Sequence, residues 1–211
     1  DQNAHSSSEA THASSGQRQP LWQVLLAGLS VKGVSLLTGV AFALMFGYYG
    51  MYLYLGSFLC TTLHVNGFQA SLFLMLYGLG FVMGPITGKL ADAVGKGKAL
   101  LYALCGLLVI LSILAWLAPI FLLFALALFC WGVLQSLAVN ALSTLFSERS
   151  SSHRGQLLSL YTFATYLGLT LSSALLGPLF IGSGYQALGI VCALVTCLGI
   201  LLLAVFQRKM R

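Results

Sequence analysis

The sequence predicts an all-α membrane protein, a bundle of six transmembrane helices. Three observations carry that prediction. The 211 residues are 59% hydrophobic and only 7% charged, with mean hydropathy +0.94, whereas soluble domains carry roughly 25% charged residues. The apolar residues gather into six runs, each long enough for the roughly 20-residue helix that crosses about 30 Å of hydrocarbon. Every Lys and Arg falls before the first run, in alternate gaps, or after the last.

The elements follow in order. Residues 1–20, DQNAHSSSEATHASSGQRQP, have no apolar core and are rich in Ser, Ala, Gln and His, so they read as a disordered linker or tail and not as a signal peptide. A start without Met followed by such a stretch suggests a fragment of a longer chain. Residues 21–211 read as the membrane unit. Leu21–Val31 is a short amphipathic lead-in at the membrane surface. The six spans are Val34–Cys60, Ala70–Gly88, Ala99–Leu117, Ile120–Phe146, Leu157–Ile181 and Ala187–Phe206. Unbroken hydrophobicity over such lengths excludes the alternating pattern of a barrel strand, and a helix satisfies its own backbone groups in lipid.

The gaps set the orientation. Arg18 and Lys32 precede the first span; Lys89, Lys96 and Lys98 follow the second; Arg149 and Arg154 follow the fourth; Arg208, Lys209 and Arg211 follow the sixth. The other gaps hold no Lys or Arg. Excess basic residues mark the cytoplasmic side. The expectation is a multi-pass protein of a cell membrane (plasma or bacterial inner), both termini cytoplasmic. The net charge of +6 therefore reflects topology, and nucleic acid is not expected as a partner.

The four acids are Asp1, Glu9, Asp92 and Glu148, and none lies mid-span. A proton-carrying carboxylate, if the protein uses one, is expected in a part outside this sequence. Cys60, Cys105, Cys130, Cys192 and Cys197 lack metal-site or disulfide spacing and read as small hydrophobes. His64 and His153 fall in gaps on opposite sides, so no metal site is expected. No nucleophile elbow, phosphate-binding loop or metal cluster is present, so no enzyme chemistry is read.

The second basic gap carries the most specific motif, Gly84-Pro85-Ile86-Thr87-Gly88-Lys89-Leu90-Ala91-Asp92-Ala93-Val94-Gly95-Lys96-Gly97-Lys98. Gly88 and Gly95 are read as the flexible points of a tight reversal. Asp92 is read as an acceptor for free helix N–H groups or a cation, with Arg149 and Arg154 as candidate partners. A solvated turn with topology-setting lysines is the plainer reading.

This motif resembles the loop signature of the major facilitator superfamily. Gly88, Leu90, Ala91, Asp92, Gly95, Lys96 and Lys98 fit, whereas Ala93 and Gly97 replace residues that are usually basic there. Arg154-Gly155-Gln156-Leu157-Leu158-Ser159-Leu160-Tyr161, and Tyr48, Tyr49, Tyr52 and Tyr54 in the first span, resemble drug and sugar efflux permeases of the arabinose-efflux-like type. The resemblance covers about residues 34–206. It implies the C-terminal half of a major-facilitator fold, built from two inverted three-helix repeats. It implies a second six-helix half as partner, upstream in the same chain or in a homodimer. It also implies proton-coupled export of a small organic molecule such as a sugar or drug by alternating access, with no cofactor beyond the proton gradient. Gly88, Asp92, Gly95, Lys96, Lys98, Arg149 and Arg154 would form its cytoplasmic gate. Uptake by the same machinery, or a non-transporting scaffold, are the alternatives.

Polarity inside the spans marks the substrate path. Tyr48 and Tyr52 lie one turn apart; Trp131 and Gln135 share a face, as do Gly132, Ser136 and Asn140; Thr162, Tyr166, Thr170 and Ser173 form a further stripe. Polar groups in hydrocarbon pair with one another or face a wet cavity. Tyr48, Tyr52, Gln135, Ser136, Asn140, Thr162 and Tyr166 are the candidates for lining a cavity, with Gln135 near mid-depth; helix-to-helix hydrogen bonding is the structural alternative. Tyr54 and Trp116 read as interfacial anchors. Gly80, Gly84 and Gly88 recur every four residues and predict a close helix approach, a pattern that Ser173 and Gly177 repeat.

Overall fold

The computed structural model describes Leu29, residues 32–150 and residues 154–210. The tail, the lead-in apart from Leu29, His153 and Arg211 lie outside the described residues. The described residues form α1 (Val34–Thr61), α2 (Gly67–Val82), α3 (Gly84–Val94), α4 (Lys96–Leu117), α5 (Phe121–Ser147) and a last helical stretch, Arg154–Met210.

That last stretch is two spans. Gly184 interrupts it with φ 77° and ψ −179°, a left-handed φ that only glycine adopts without strain. The arms, α6 (residues 154–183) and α7 (residues 185–210), fold back beside each other. Gly168 of α6 abuts Phe42 of α1, and Gly199 of α7 abuts the adjacent Ala43. Tyr185 secures the reversal by donating from its hydroxyl to the Met51 carbonyl at 3.0 Å and stacking on Phe58 at 4.2 Å.

The second span differs from the single helix expected at Ala70–Gly88. Asn66 caps α2, its Oδ1 accepting from the Gln69 N–H at 2.8 Å. The helix then breaks at Met83, and α3 continues at 43°. Pro85 sits in the first turn of α3, where its missing N–H needs no intrahelical partner. The same ring lacks the N–H that a helix continuing from α2 would require, which is why the span bends. With α2 and α3 counted as one bent crossing, the described helices cross six times.

Lipid explains the exterior. Ile190, Leu194, Leu198, Leu201 and Val205 recur every three or four residues along α7 and are all exposed. A stripe of this kind is costly in water and neutral against acyl chains. The opposite face of α7 buries Leu188, Cys192, Thr196, Leu203 and Phe206.

The packing has an internal repeat. α1 packs against the α6–α7 pair, α2 against α5, and α4 against both α5 and α7. Exchanging the first three spans for the last three carries these pairings onto one another. The crossings agree in detail. A Cβ on Gly80 would collide with the Phe129 carbonyl oxygen and lie 3.0 Å from the Val133 nitrogen. A Cβ on Gly168 would lie 2.8 Å from the Phe42 carbonyl oxygen and 3.0 Å from the Phe46 nitrogen. Each glycine thus docks on a carbonyl and on the amide nitrogen four residues further on. Three spans being an odd number, the second group runs inverted to the first.

Candidate functional site

At the α2–α5 crossing, Gly132 returns the contact of Gly80. A Cβ there would collide with the Tyr77 carbonyl oxygen and lie 2.8 Å from the Phe81 nitrogen. The helices meet backbone to backbone, as small residues allow in membranes. Side chains one turn away are thereby pressed together. Tyr77, from α2, lies with its ring centroid 5.3 Å from that of Trp131 on α5, at 67°. Tyr48 and Tyr52 of α1 stack at 5.1 Å, and Tyr77 lies 5.6 Å from Tyr48 and 5.0 Å from Tyr52. Offset and edge-on pairs at such spacings are favoured by the ring quadrupoles. Trp131 is fully buried beneath this cluster.

Beside the cluster opens a cavity of about 540 Å³, within the range of small-molecule sites, bordered by Tyr48, Tyr52, Tyr77, Phe81, Gln135 and Thr165 among others. Gln135 is 1% exposed. Among the described residues, neither its amide nitrogen nor its carbonyl oxygen has a hydrogen-bond partner, and the Trp131 indole nitrogen lacks one too. Buried polar groups are ordinarily paired, and an unpaired one costs about 1–3 kcal/mol. Among the described residues, no Asp, Glu, Lys, Arg or His borders the cavity.

Of the residues expected to line a path, Tyr48, Tyr52 and Gln135 meet at this cavity. Ser136 and Asn140 do not. They face the other way along α5 and stitch the bend of the second span. The Asn140 side-chain nitrogen donates to the Gly84 carbonyl at 3.0 Å and reaches Thr87 Oγ1 at 3.3 Å. Thr87 Oγ1 lies 3.2 Å from Ser136 Oγ. Thr162 and Tyr166 sit on an exposed face of α6, Tyr166 at 62%, and the Thr162 hydroxyl is satisfied by Leu158 within its own helix. Thr165, between them, is the α6 residue that reaches the cavity. Sequence reasoning missed Tyr77, Phe81 and Thr165. A tyrosine one turn before Gly80 was the available sign for the first.

The basic gaps converge at one end of the bundle. The turn between α3 and α4 centres on Gly95, at φ 94°, a value that favours glycine. Gly88 lies inside α3 with open space around it, so the expected reversal has one flexible glycine and not two. Asp92 pairs with Lys96 at 3.7 Å, i,i+4 across that turn, in place of Arg149 or Arg154. Lys96 also binds Glu148 at the end of α5, a pair the sequence reading did not foresee. The Gln207 amide donates to the Gly97 carbonyl at 2.8 Å and ties in α7. Arg149 lies over the Phe206 ring, 4.6 Å from its centroid. Burial lowers the pKa of Arg149, with Glu148 acting the other way. Lys98 and Arg154 are exposed. A second cavity, of about 430 Å³, opens here between Gly84, Gly88, Asp92, Lys96 and Asn140.

Comparison with known proteins bears on this arrangement. Residues 3–173 match the model of the Major Facilitator Superfamily. The chain is 44% identical over 182 residues to the MFS-type transporter YwfA of Bacillus subtilis (strain 168), covering 86% of this chain and 44% of that protein. It thus spans less than half the length of that curated relative. Among solved structures it resembles a peptide transporter POT crystallised with alafosfalin, with TM-score 0.75 and 19% identity, covering 90% of this chain and 42% of the other. At that identity the likeness speaks for the fold alone, and the fold is half of a major-facilitator bundle. The six crossings, the inverted crossing pattern and the matched residues together place this chain in the major facilitator superfamily.

Proposed function

We propose that this chain is one half of a secondary transporter that binds a small organic molecule at the cavity bordered by Tyr48, Tyr52, Tyr77 and Gln135. The observation that carries the proposal is the buried Gln135 amide, unpaired at both atoms beside an aromatic wall. A fold tolerates such groups where a ligand completes them.

A second six-helix half closes the cavity from the opposite side, supplied by the same chain or by a homodimer partner. The exposed hydroxyl stripe on α6, with Thr162 and Tyr166, faces that half, since lipid would not favour it. Rocking of the halves exposes the cavity to each side in turn. The basic end, with Gly88, Asp92, Gly95, Lys96, Lys98, Arg149 and Arg154, is the cytoplasmic gate, because basic residues concentrate on that side of membranes. The protein sits in a cell membrane with both termini cytoplasmic. Transport is export of a sugar-like or drug-like molecule against protons, driven by the gradient and needing no bound cofactor. With no acid among the described mid-span residues, the titrating carboxylate belongs to the other half.

The test is transport in right-side-out and inverted vesicles under an imposed pH gradient. Export predicts accumulation in inverted vesicles acidified inside, lost in Gln135→Leu and Tyr48→Leu. Accumulation in right-side-out vesicles acidified outside would establish uptake instead. Equal flux with and without the protein would leave only a scaffold.

A further inference from the structure

We infer that the part of the substrate held by this half is a flat, uncharged ring bearing a hydrogen-bond donor and acceptor side by side on one edge. The inference rests on the transport reading above. Its starting point is the inverted repeat. Phe46 of α1 and Val133 of α5 occupy matching places under the two glycine crossings, so two residues on, Tyr48 matches Gln135. Gly80 matches Gly168, so three residues back, Tyr77 matches Thr165. All four border the one cavity. The repeat has therefore diverged where it faces the cavity: the first group supplies rings, and the second an amide and a hydroxyl.

The ring wall sets a shape. Tyr48 and Tyr77 lie within 19° of parallel, and Tyr48 and Tyr52 within 28°, so a flat face gains area and offset stacking. The polar wall sets an edge. Along its N/O edge the Gln135 carboxamide sets one N–H donor beside one carbonyl acceptor in a single plane, and neither atom has a partner among the described residues. A ligand with an acceptor alone leaves the amide oxygen unsatisfied in a low-dielectric site, and one with a donor alone leaves the nitrogen so. A ligand presenting both, as carboxamides and amino-substituted nitrogen heterocycles do, satisfies the pair. A full charge gains nothing from this wall, because among the described residues no ionised side chain borders it.

The experiment uses the protein in lipid nanodiscs, titrated with adenine and purine, each methylated at N9, while tyrosine and tryptophan emission is followed. The methyl group removes the N9–H that would otherwise give both rings a donor beside the N3 acceptor. Adenine then places an amino donor beside a ring-nitrogen acceptor, and purine keeps the ring and the acceptor and lacks the donor. Adenine is expected to bind about tenfold tighter, in keeping with a bidentate amide pair. Gln135→Leu should erase the difference while elution stays normal and the melting temperature does not fall; Gln135→Met, also apolar, repeats the test. Tyr48→Leu should weaken both ligands together. Equal affinities in the unmodified protein, a preference that survives Gln135→Leu, or no adenine binding at all each overturn the inference. Tyr48-dependent binding of glucose or tetraphenylphosphonium in place of both purines overturns the substrate class and leaves the transport reading standing. No binding of any of these probes, together with no flux in vesicles, overturns both.

Discussion

Gly80 and Gly132 face each other where α2 crosses α5, each occupying the space in which the other helix's backbone would meet a Cβ. This contact sets Tyr77 against Trp131 and brings α2 to the cavity. Gly132→Ala must push the helices apart, at a cost of about 1–3 kcal/mol or more, and move Tyr77 away from Gln135. Gly88→Ala, in open space within α3, should stabilise by about 0.5–1 kcal/mol through helix propensity. Thermal unfolding in detergent checks both signs. Similar melting temperatures for the two variants would count against the crossing as described.

Gln135→Leu is expected to separate stability from function. Removing two unpaired buried polar atoms should raise stability by about 1 kcal/mol, while ligand binding and flux fall to background. Paired melting and transport measurements decide it. A large loss of stability would mean that Gln135 is paired within the fold.

Asn140→Ala should act differently from Gln135→Leu although the two residues are five apart on one helix. It removes two hydrogen bonds, but Thr87 Oγ1 still donates to the Gly84 carbonyl at 3.0 Å and still pairs with Ser136 Oγ, so the cost is that of lost bonds and not of an orphaned group, about 1 kcal/mol. Ligand affinity, read by equilibrium titration, should change little, because Asn140 does not border the aromatic cavity.

The ion pairs at the basic end are expected to add little to stability. Asp92 and Glu148 are exposed, and such pairs are screened by salt. Lys96→Met should leave the melting temperature unchanged within error in both low and high salt, while altering the rate of transport if the pairs latch a gate. Urea or thermal melts alongside initial-rate flux measurements check the two halves of this expectation.

Thiol labelling tests the orientation. Cys60 is exposed at the end of α1 away from the basic residues, and Cys192 is buried. A membrane-impermeant maleimide added to intact cells should reach Cys60 and spare Cys192. Lys96→Cys should react only after permeabilisation. Labelling of both positions from the same side would remove the topology on which the gate assignment rests.

The six crossings could be read from the sequence because hydrocarbon imposes a length on every apolar run and charge is excluded from each. The bend at Met83 could be read in part, because Gly84-Pro85 is a pair that bends or ends a helix and the span does bend there by 43°. That the chain continues across the membrane beyond it needed the partners on α5. Of the polar stripes, the α1 pair Tyr48 and Tyr52 and the α5 residue Gln135 border one cavity. On α6 the sequence singled out Thr162 and Tyr166, which are exposed, whereas Thr165 borders the cavity. Ser136 and Asn140 bond to the bent span, and Asn140 borders the cavity at the basic end and not the aromatic one, a distinction the sequence could not make, since hydroxyls and amides suit both a ligand and a neighbouring helix. The Lys96–Glu148 pair needed three-dimensional proximity between residues far apart in the chain, which no periodicity encodes.

The joint at Met83 has a mechanical consequence. The half of the span carrying Tyr77 and Phe81 is clamped to α5 by bare backbone, whereas the half carrying Asp92 hangs from α5 by the hydrogen bonds of Asn140, Thr87 and Ser136. Bonds of that kind can be exchanged one at a time, and a backbone clamp cannot. Under the alternating access proposed above, the lower lever is the part that swings, and the aromatic wall above it is the part that holds still.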